Sequence, residues 1–140
     1  RDFYLQNDSI KDYKYINYKK ALELHDIEKL KVEHQKVISK YLDRIEILNS
    51  YVIKKNSTAV FINQVGLGGH RDERLFIYNY SLIEYCKNKN LHCIDLASKL
   101  DGKKNYWFDQ VHTTRLGSKV IAETVIDDLI KIIKHEKLFL

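Results

Sequence analysis

The sequence predicts an α/β domain built on part of a doubly wound parallel sheet flanked by helices. Two short and nearly continuous apolar runs, Thr58 to Val65 and Leu91 to Leu96, have the length and β-branched content of buried strands. The segments before, between and after them carry apolar residues at helical spacing. The resulting order is helix, strand, helix, strand, loop, helix, and strands separated by helices favour parallel pairing.

The elements follow in order. Residues 1 to about 18 are polar and tyrosine-rich (Tyr4, Tyr13, Tyr15, Tyr18), show no period, and read as an irregular entry segment whose tyrosines serve packing or cover. From Lys20 to Lys55 the spacing is helical, with a possible break between Lys31 and His34. Val37, Ile38, Tyr41, Leu42, Ile45, Leu48, Tyr51 and Val52 form one stripe, the strongest helical signal in the chain. Lys54-Lys55-Asn56 closes that helix with cations and a cap-like residue. After the first strand, Gly66-Leu67-Gly68-Gly69-His70 reads as a flexible loop, and His70-Arg71-Asp72 as its solvated tip. Leu75, Phe76, Asn79, Leu82, Ile83 and Cys86 mark the next helix, which ends at Asn88-Lys89-Asn90. A polar loop from Ser98 to Asn105 leads out of the second strand. The last helix runs from about Thr114 to Lys134, with Leu116, Val120, Ile121, Val125, Leu129 and Ile133 inward.

Composition narrows the function classes. A chain of 140 residues with 44% hydrophobic residues is one domain in size, with the composition of a soluble globular protein. No apolar run approaches the roughly 18 residues needed to span a membrane, and no signal peptide opens the chain. The net charge of +5 comes from lysines alternating with acids, as in Glu28-Lys29-Leu30-Lys31-Val32-Glu33; with no Arg-rich block or aromatic-basic motif, it reads as a solvated surface and not as a nucleic-acid site. Cys86 and Cys93 read as free buried thiols on a helix face and a strand. A reducing compartment such as the cytoplasm fits, although the compartment stays open. His25 and His34 are too far apart for a helical metal pair, no H-E-x-x-H or C-x-x-C occurs, and the glycine loop lacks the spacing and lysine of a phosphate loop, so neither metal nor cofactor is expected.

The chemistry concentrates in Trp107-Phe108-Asp109-Gln110-Val111-His112-Thr113-Thr114-Arg115-Leu116-Gly117. Asp109 stands three residues before His112, after the last strand, where open α/β sheets place their sites. Thr113 or Thr114 can cap the helix that follows. With 11 aspartates and 6 histidines in 140 residues the bare spacing is common by chance, so its context carries the weight. A neutral imidazole can act as general base, and a carboxylate on its other nitrogen sets the tautomer and stabilises the imidazolium. The same spacing also suits a turn-capping aspartate beside a half-exposed surface histidine.

Phe108-Asp109-Gln110-Val111-His112-Thr113-Thr114, with Gly117 and Ala122 beyond it, resembles the last signature block of SGNH/GDSL hydrolases. Val60-Phe61-Ile62-Asn63-Gln64 resembles the strand before that family's variable loop, and Tyr80-Ser81-Leu82 to Asp95-Leu96 the helix and strand preceding the final block. The resemblance spans roughly residues 37 to 130 and implies a flavodoxin-like sheet order, with His112 as general base and Asp109 as its orienting acid. The family's serine lies in a G-D-S block and its oxyanion donors in glycine and G-x-N-D blocks; neither G-D-S nor G-x-N-D occurs here. Ser9, Ser39, Ser50, Ser57, Ser81, Ser98 and Ser118 lack the setting of a nucleophile at a strand-to-helix turn. The expectation is therefore that residues 1–140 are the C-terminal half of one such domain, inactive alone. The missing N-terminal half would be its partner and a small-molecule, glycan or lipid ester its substrate. The alternative expectation is a non-catalytic binding or scaffold module using the same half-fold through its exposed sheet edge.

Overall fold

The computed structural model describes residues 15–100, 103–109 and 112–136. Helices α1 (Tyr18–Leu24), α2 (Ile27–Glu33) and α3 (Gln35–Lys54) precede strand β1 (Val60–Ile62). Helix α4 (Glu73–Lys89) crosses to β2 (His92–Ile94), followed by the short α5 (Leu96–Lys99), a 3₁₀ turn (Lys104–Tyr106) and α6 (Arg115–His135). Among the described residues the sheet has two strands, paired parallel with Phe61 opposite Cys93. The chain is thus a mixed, mainly helical α/β structure.

The long helical stretch predicted from Lys20 is three helices. Asn17 caps α1 and Asp26 caps α2, each accepting a backbone N–H three residues on. An aspartate that caps a new helix ends the previous one, which explains the break at His25 that apolar spacing alone does not reveal. The predicted break between Lys31 and His34 is present, with α3 starting at Gln35. Of the predicted α3 stripe, Ile38 is buried and Tyr41, Leu42 and Ile45 are partly covered. Val37, Leu48 and Tyr51 are exposed, on positions of the helix that its packing against α2, α4 and Phe61 leaves uncovered. On α6, Leu116 is exposed while Val120, Ile121, Val125, Leu129 and Ile133 are half-buried.

Two apolar clusters hold the elements. Ala21, Leu30, Ile38, Phe76 and Ile77 join α1 to α4 through Tyr18, Leu42 and Tyr80. Phe61, Leu82 and Cys86 join β1 to α4. Both strands are shorter than predicted. Parallel pairing ends at Asn63, whose side chain donates to Asp95 Oδ1 (2.7 Å) and accepts from the Ala97 N–H (2.8 Å). This buried amide ties the carboxyl ends of the two strands together. Along β1, Val60 is half-buried, Phe61 buried and Ile62 exposed.

Two expectations are overturned. Cys86 and Cys93 are joined in a disulfide, with no free cysteine remaining. Asn90, in the left-handed region at φ 53°, caps α4 and reverses the chain into β2, so the last turn of the helix faces the middle of the strand and the two Cα atoms stand 6.2 Å apart. His70 is fully buried, not the tip of a solvated loop. The backbone of Ile16 lies across this loop, accepting the His70 N–H (2.8 Å) and donating to Gly68 O (3.1 Å). Among the described residues, no helix is long and apolar enough to cross a membrane.

Candidate functional site

Asp109 and His112 sit at the tip of a narrow two-armed turn. Trp107 and Thr113 form an antiparallel bridge, and the Phe108 N–H donates to His112 O at 2.8 Å. One step further out, the Thr114 N–H donates to Tyr106 O at 2.9 Å. Gln110 and Val111, between the arms, lie outside the described residues. The buried Trp107 anchors one arm, and α6 continues the other.

Local chemistry explains why α6 begins here. Thr114 is its N-cap: Oγ1 accepts the Gly117 N–H at 3.1 Å and donates to Asn105 O at 2.9 Å. One hydroxyl thus ties the first turn of the helix to the 3₁₀ turn. Gly117 is a glycine because of closeness and not because of backbone angle. A Cβ there would stand 2.0 Å from Tyr106 O, the carbonyl that receives the Thr114 N–H. Gly117→Ala is therefore expected to destabilise the fold by about 2 kcal/mol, as overpacking against backbone does, and to loosen the Asp109–His112 turn. Thermal unfolding checks it, and an unchanged midpoint would show that the 3₁₀ turn does not depend on this approach. Ala122, further along this helix, is exposed.

The pair itself is bonded twice. Asp109 Oδ1 accepts the His112 backbone N–H at 2.8 Å, and Oδ2 meets His112 Nδ1 at 2.7 Å. The backbone bond fixes the carboxylate, which then fixes the ring. A carboxylate only accepts, so Nδ1 carries a proton, and in the neutral ring Nε2 is the nitrogen that holds the lone pair. The His112 side chain is 75% exposed and Asp109 43%, so the accepting nitrogen is open to a reactant. The structure brings the two predicted site residues together, the Asp109 carboxylate on both the backbone N–H and Nδ1 of His112. It places no nucleophile beside them: no described serine hydroxyl is hydrogen-bonded to a histidine, Ser118 Oγ being paired with Thr113 Oγ1 at 2.7 Å. No group of three His, Cys, Asp or Glu side chains able to hold a metal occurs among the described residues.

A second polar cluster forms around His70, which the sequence offers within His70-Arg71-Asp72 as a substrate contact or a solvated loop tip, without its partners. His70, Asn79 and Asn63 are buried polar residues at the carboxyl end of β1, close enough to Asp95 for its charge to act on His70. Burial pushes the His70 imidazole down to about 4, with the Asp95 carboxylate opposing and His25 reinforcing. Burial, with the charges of Asp95 and Tyr80, pushes the Tyr18 hydroxyl up to about 12. The only trace of the rest of this cluster in the sequence is that polar residues, Asn63-Gln64, end an apolar run. Comparison of the chain with protein-family models, with curated proteins and with solved structures returns no match.

Proposed function

We propose that this chain supplies the acid–base arm of a serine ester hydrolase of the SGNH/GDSL type. The observation that carries the reading is the pair of hydrogen bonds that the Asp109 carboxylate accepts from the backbone N–H and Nδ1 of His112, which leaves Nε2 available as a base. In the reaction, Nε2 takes the proton from a serine hydroxyl as its oxygen attacks the ester carbonyl carbon. Asp109 stabilises the imidazolium. When the tetrahedral adduct collapses, the C–O bond to the alcohol breaks and Nε2 returns the proton to the leaving oxygen. A water, deprotonated by the same nitrogen, then attacks the acyl carbon; as the acyl C–O bond to serine breaks, Nε2 returns that proton to the serine oxygen and the acid leaves. This route uses neither a metal nor an organic cofactor.

The serine and the oxyanion donors belong, on this reading, to a segment outside these 140 residues that completes a doubly wound, flavodoxin-like sheet. Support comes from the absence of any G-D-S, from a sheet of two strands among the described residues, and from apolar side chains left uncovered at Ile62 of β1 and Ile47, Leu48, Tyr51 and Ile53 of α3. The substrate class is a small-molecule, glycan or lipid ester. The test compares turnover of acetyl, butyryl and longer acyl esters by the full-length protein and by residues 1–140 alone. The expected result is hydrolysis by the former and none above background by the latter. A full-length protein inert to every ester, or an equally active isolated chain, overturns the proposal.

A further inference from the structure

Asn79, on the buried face of α4, has every polar atom committed. Its Oδ1 accepts the Gln64 N–H (3.0 Å), and its Nδ2 donates to Gln64 O (2.6 Å) and approaches His70 Nε2 (3.1 Å). Flipping the amide would set oxygen against oxygen and N–H against N–H at Gln64, so its orientation is determined. Nδ2 can only donate, and His70 Nε2 must therefore hold the lone pair. The ring proton sits on Nδ1, which is buried without a hydrogen-bond partner.

The same histidine organises the loop around it. Its N–H donates to Ile16 O (2.8 Å), and its carbonyl meets His25 Nε2 (3.0 Å). Gly69, at φ 63°, lies so close to the strap that a Cβ would stand 2.3 Å from Ile16 O. Tyr15 extends the strap by donating to Leu100 O (3.0 Å), and the rings of Tyr18 and Phe76 stand edge-on to the imidazole. We propose that His70 is a proton-operated latch: neutral, it locks the Gln64–His70 loop under the Tyr15–Asn17 strap, and on taking up one proton it releases both.

Protonation places an N–H on Nε2, pointing at the N–H of Asn79. Two donors then face each other around a charge with no exposed surface. Relief requires either flipping Asn79, which breaks both bonds to Gln64, or swinging His70 out, which pulls on Ile16 and His25. The titratable groups facing the ring are the Asp95 carboxylate from the end of β2, His25 from the end of α1 and the Tyr18 hydroxyl from its start. Glu73 stands 3.7 Å beyond, on His25 Nδ1. Asp95 favours the proton and burial opposes it more strongly, which holds the imidazole near 4 against an ordinary 6.5. The sign follows from the depressed value. The closed loop is fully stable above about pH 6.5 and loses stability as pH falls toward 4, its opening constant rising roughly tenfold per pH unit in between.

Amide exchange with residue resolution in the full-length protein tests this. Protection of the Ile16, Gln64, Gly69 and His70 amides is expected to fall about fortyfold from pH 6.5 to pH 4.5 after correction for intrinsic rates, while amides in the middle of α6 hold theirs. His70→Gln offers Asn79 a non-titrating acceptor and should flatten the response. Side-chain nitrogen chemical shifts of the unsubstituted protein give a second reading, with the Nδ1–H tautomer expected at neutral pH. An Nε2–H tautomer, an equal pH response in His70→Gln, or loop and α6 opening in step overturns the latch. If His70→Gln does not fold, the tautomer and the loop-to-α6 comparison decide. None of these outcomes bears on the hydrolase reading.

Discussion

On the proposed hydrolase reading, Asp109→Asn in the full-length protein is expected to lower kcat/KM for ester hydrolysis by about 10⁴-fold, the loss seen when the carboxylate of a serine–histidine–aspartate triad is removed. The geometry explains so large an effect from so small a change. An asparagine oxygen can still accept the His112 backbone N–H, so the turn survives. The amide N–H₂ then faces Nδ1 and leaves that nitrogen no acceptor for its proton. The ring adopts the tautomer with its hydrogen on Nε2, which cannot act as a base. His112→Ala removes the base altogether and costs at least as much. In both variants the loss is expected on kcat, with KM changed little, since on the proposed reading the pair acts on the transition state and not on bound ester. The expected 10⁴-fold corresponds to about 5.5 kcal/mol of transition-state stabilisation. Steady-state kinetics measures the split, and a loss confined to KM would assign the pair to substrate binding.

Phe76→Ala is expected to destabilise the fold by about 3–5 kcal/mol, the range for truncating a buried phenylalanine. Phe76 is fully buried on α4, with the rings of Tyr18 at 5.7 Å, His25 at 4.9 Å, His70 at 6.2 Å and Tyr80 at 6.3 Å. Its removal takes apolar area out of the cluster of Ala21, Leu30, Ile38 and Ile77 and leaves a cavity under His70. These neighbours belong to separate helices, so the hole closes only if helices shift. Urea unfolding should show a lower midpoint with an unchanged slope. A change below about 1 kcal/mol would mean that this cluster is not the core.

The parts of this architecture that rest on local chemistry are legible in the sequence. Apolar runs mark β1 and β2, helical spacing marks α4 and α6, and Thr113 or Thr114 reads as a cap before the last helix, Thr114 being the one that caps it. Asp109 and His112 can be paired on paper because three residues of chain hold them together. What escapes is set by residues far apart. A loop spelled Gly-Gly-His reads as solvated until Ile16, more than fifty positions earlier, is laid across it. Asn79 looks like one residue of a helical stripe, and only the tertiary fold brings it to Gln64 and His70. Spacing shows that Val37, Leu48 and Tyr51 share a stripe on α3, but not how much of it a neighbour covers. The disulfide depends on the reversal at Asn90, which sets α4 against β2.

The central claim is that His112 activates a serine outside these residues. Mass spectrometry of the full-length protein after treatment with a fluorophosphonate tests it most directly, since this reagent forms a stable adduct only with an activated serine hydroxyl. The account predicts one adduct per chain, on a serine outside residues 1–140, that no longer forms in His112→Ala. An absent adduct, one on a serine within these residues, or one that forms equally well without His112 would contradict it.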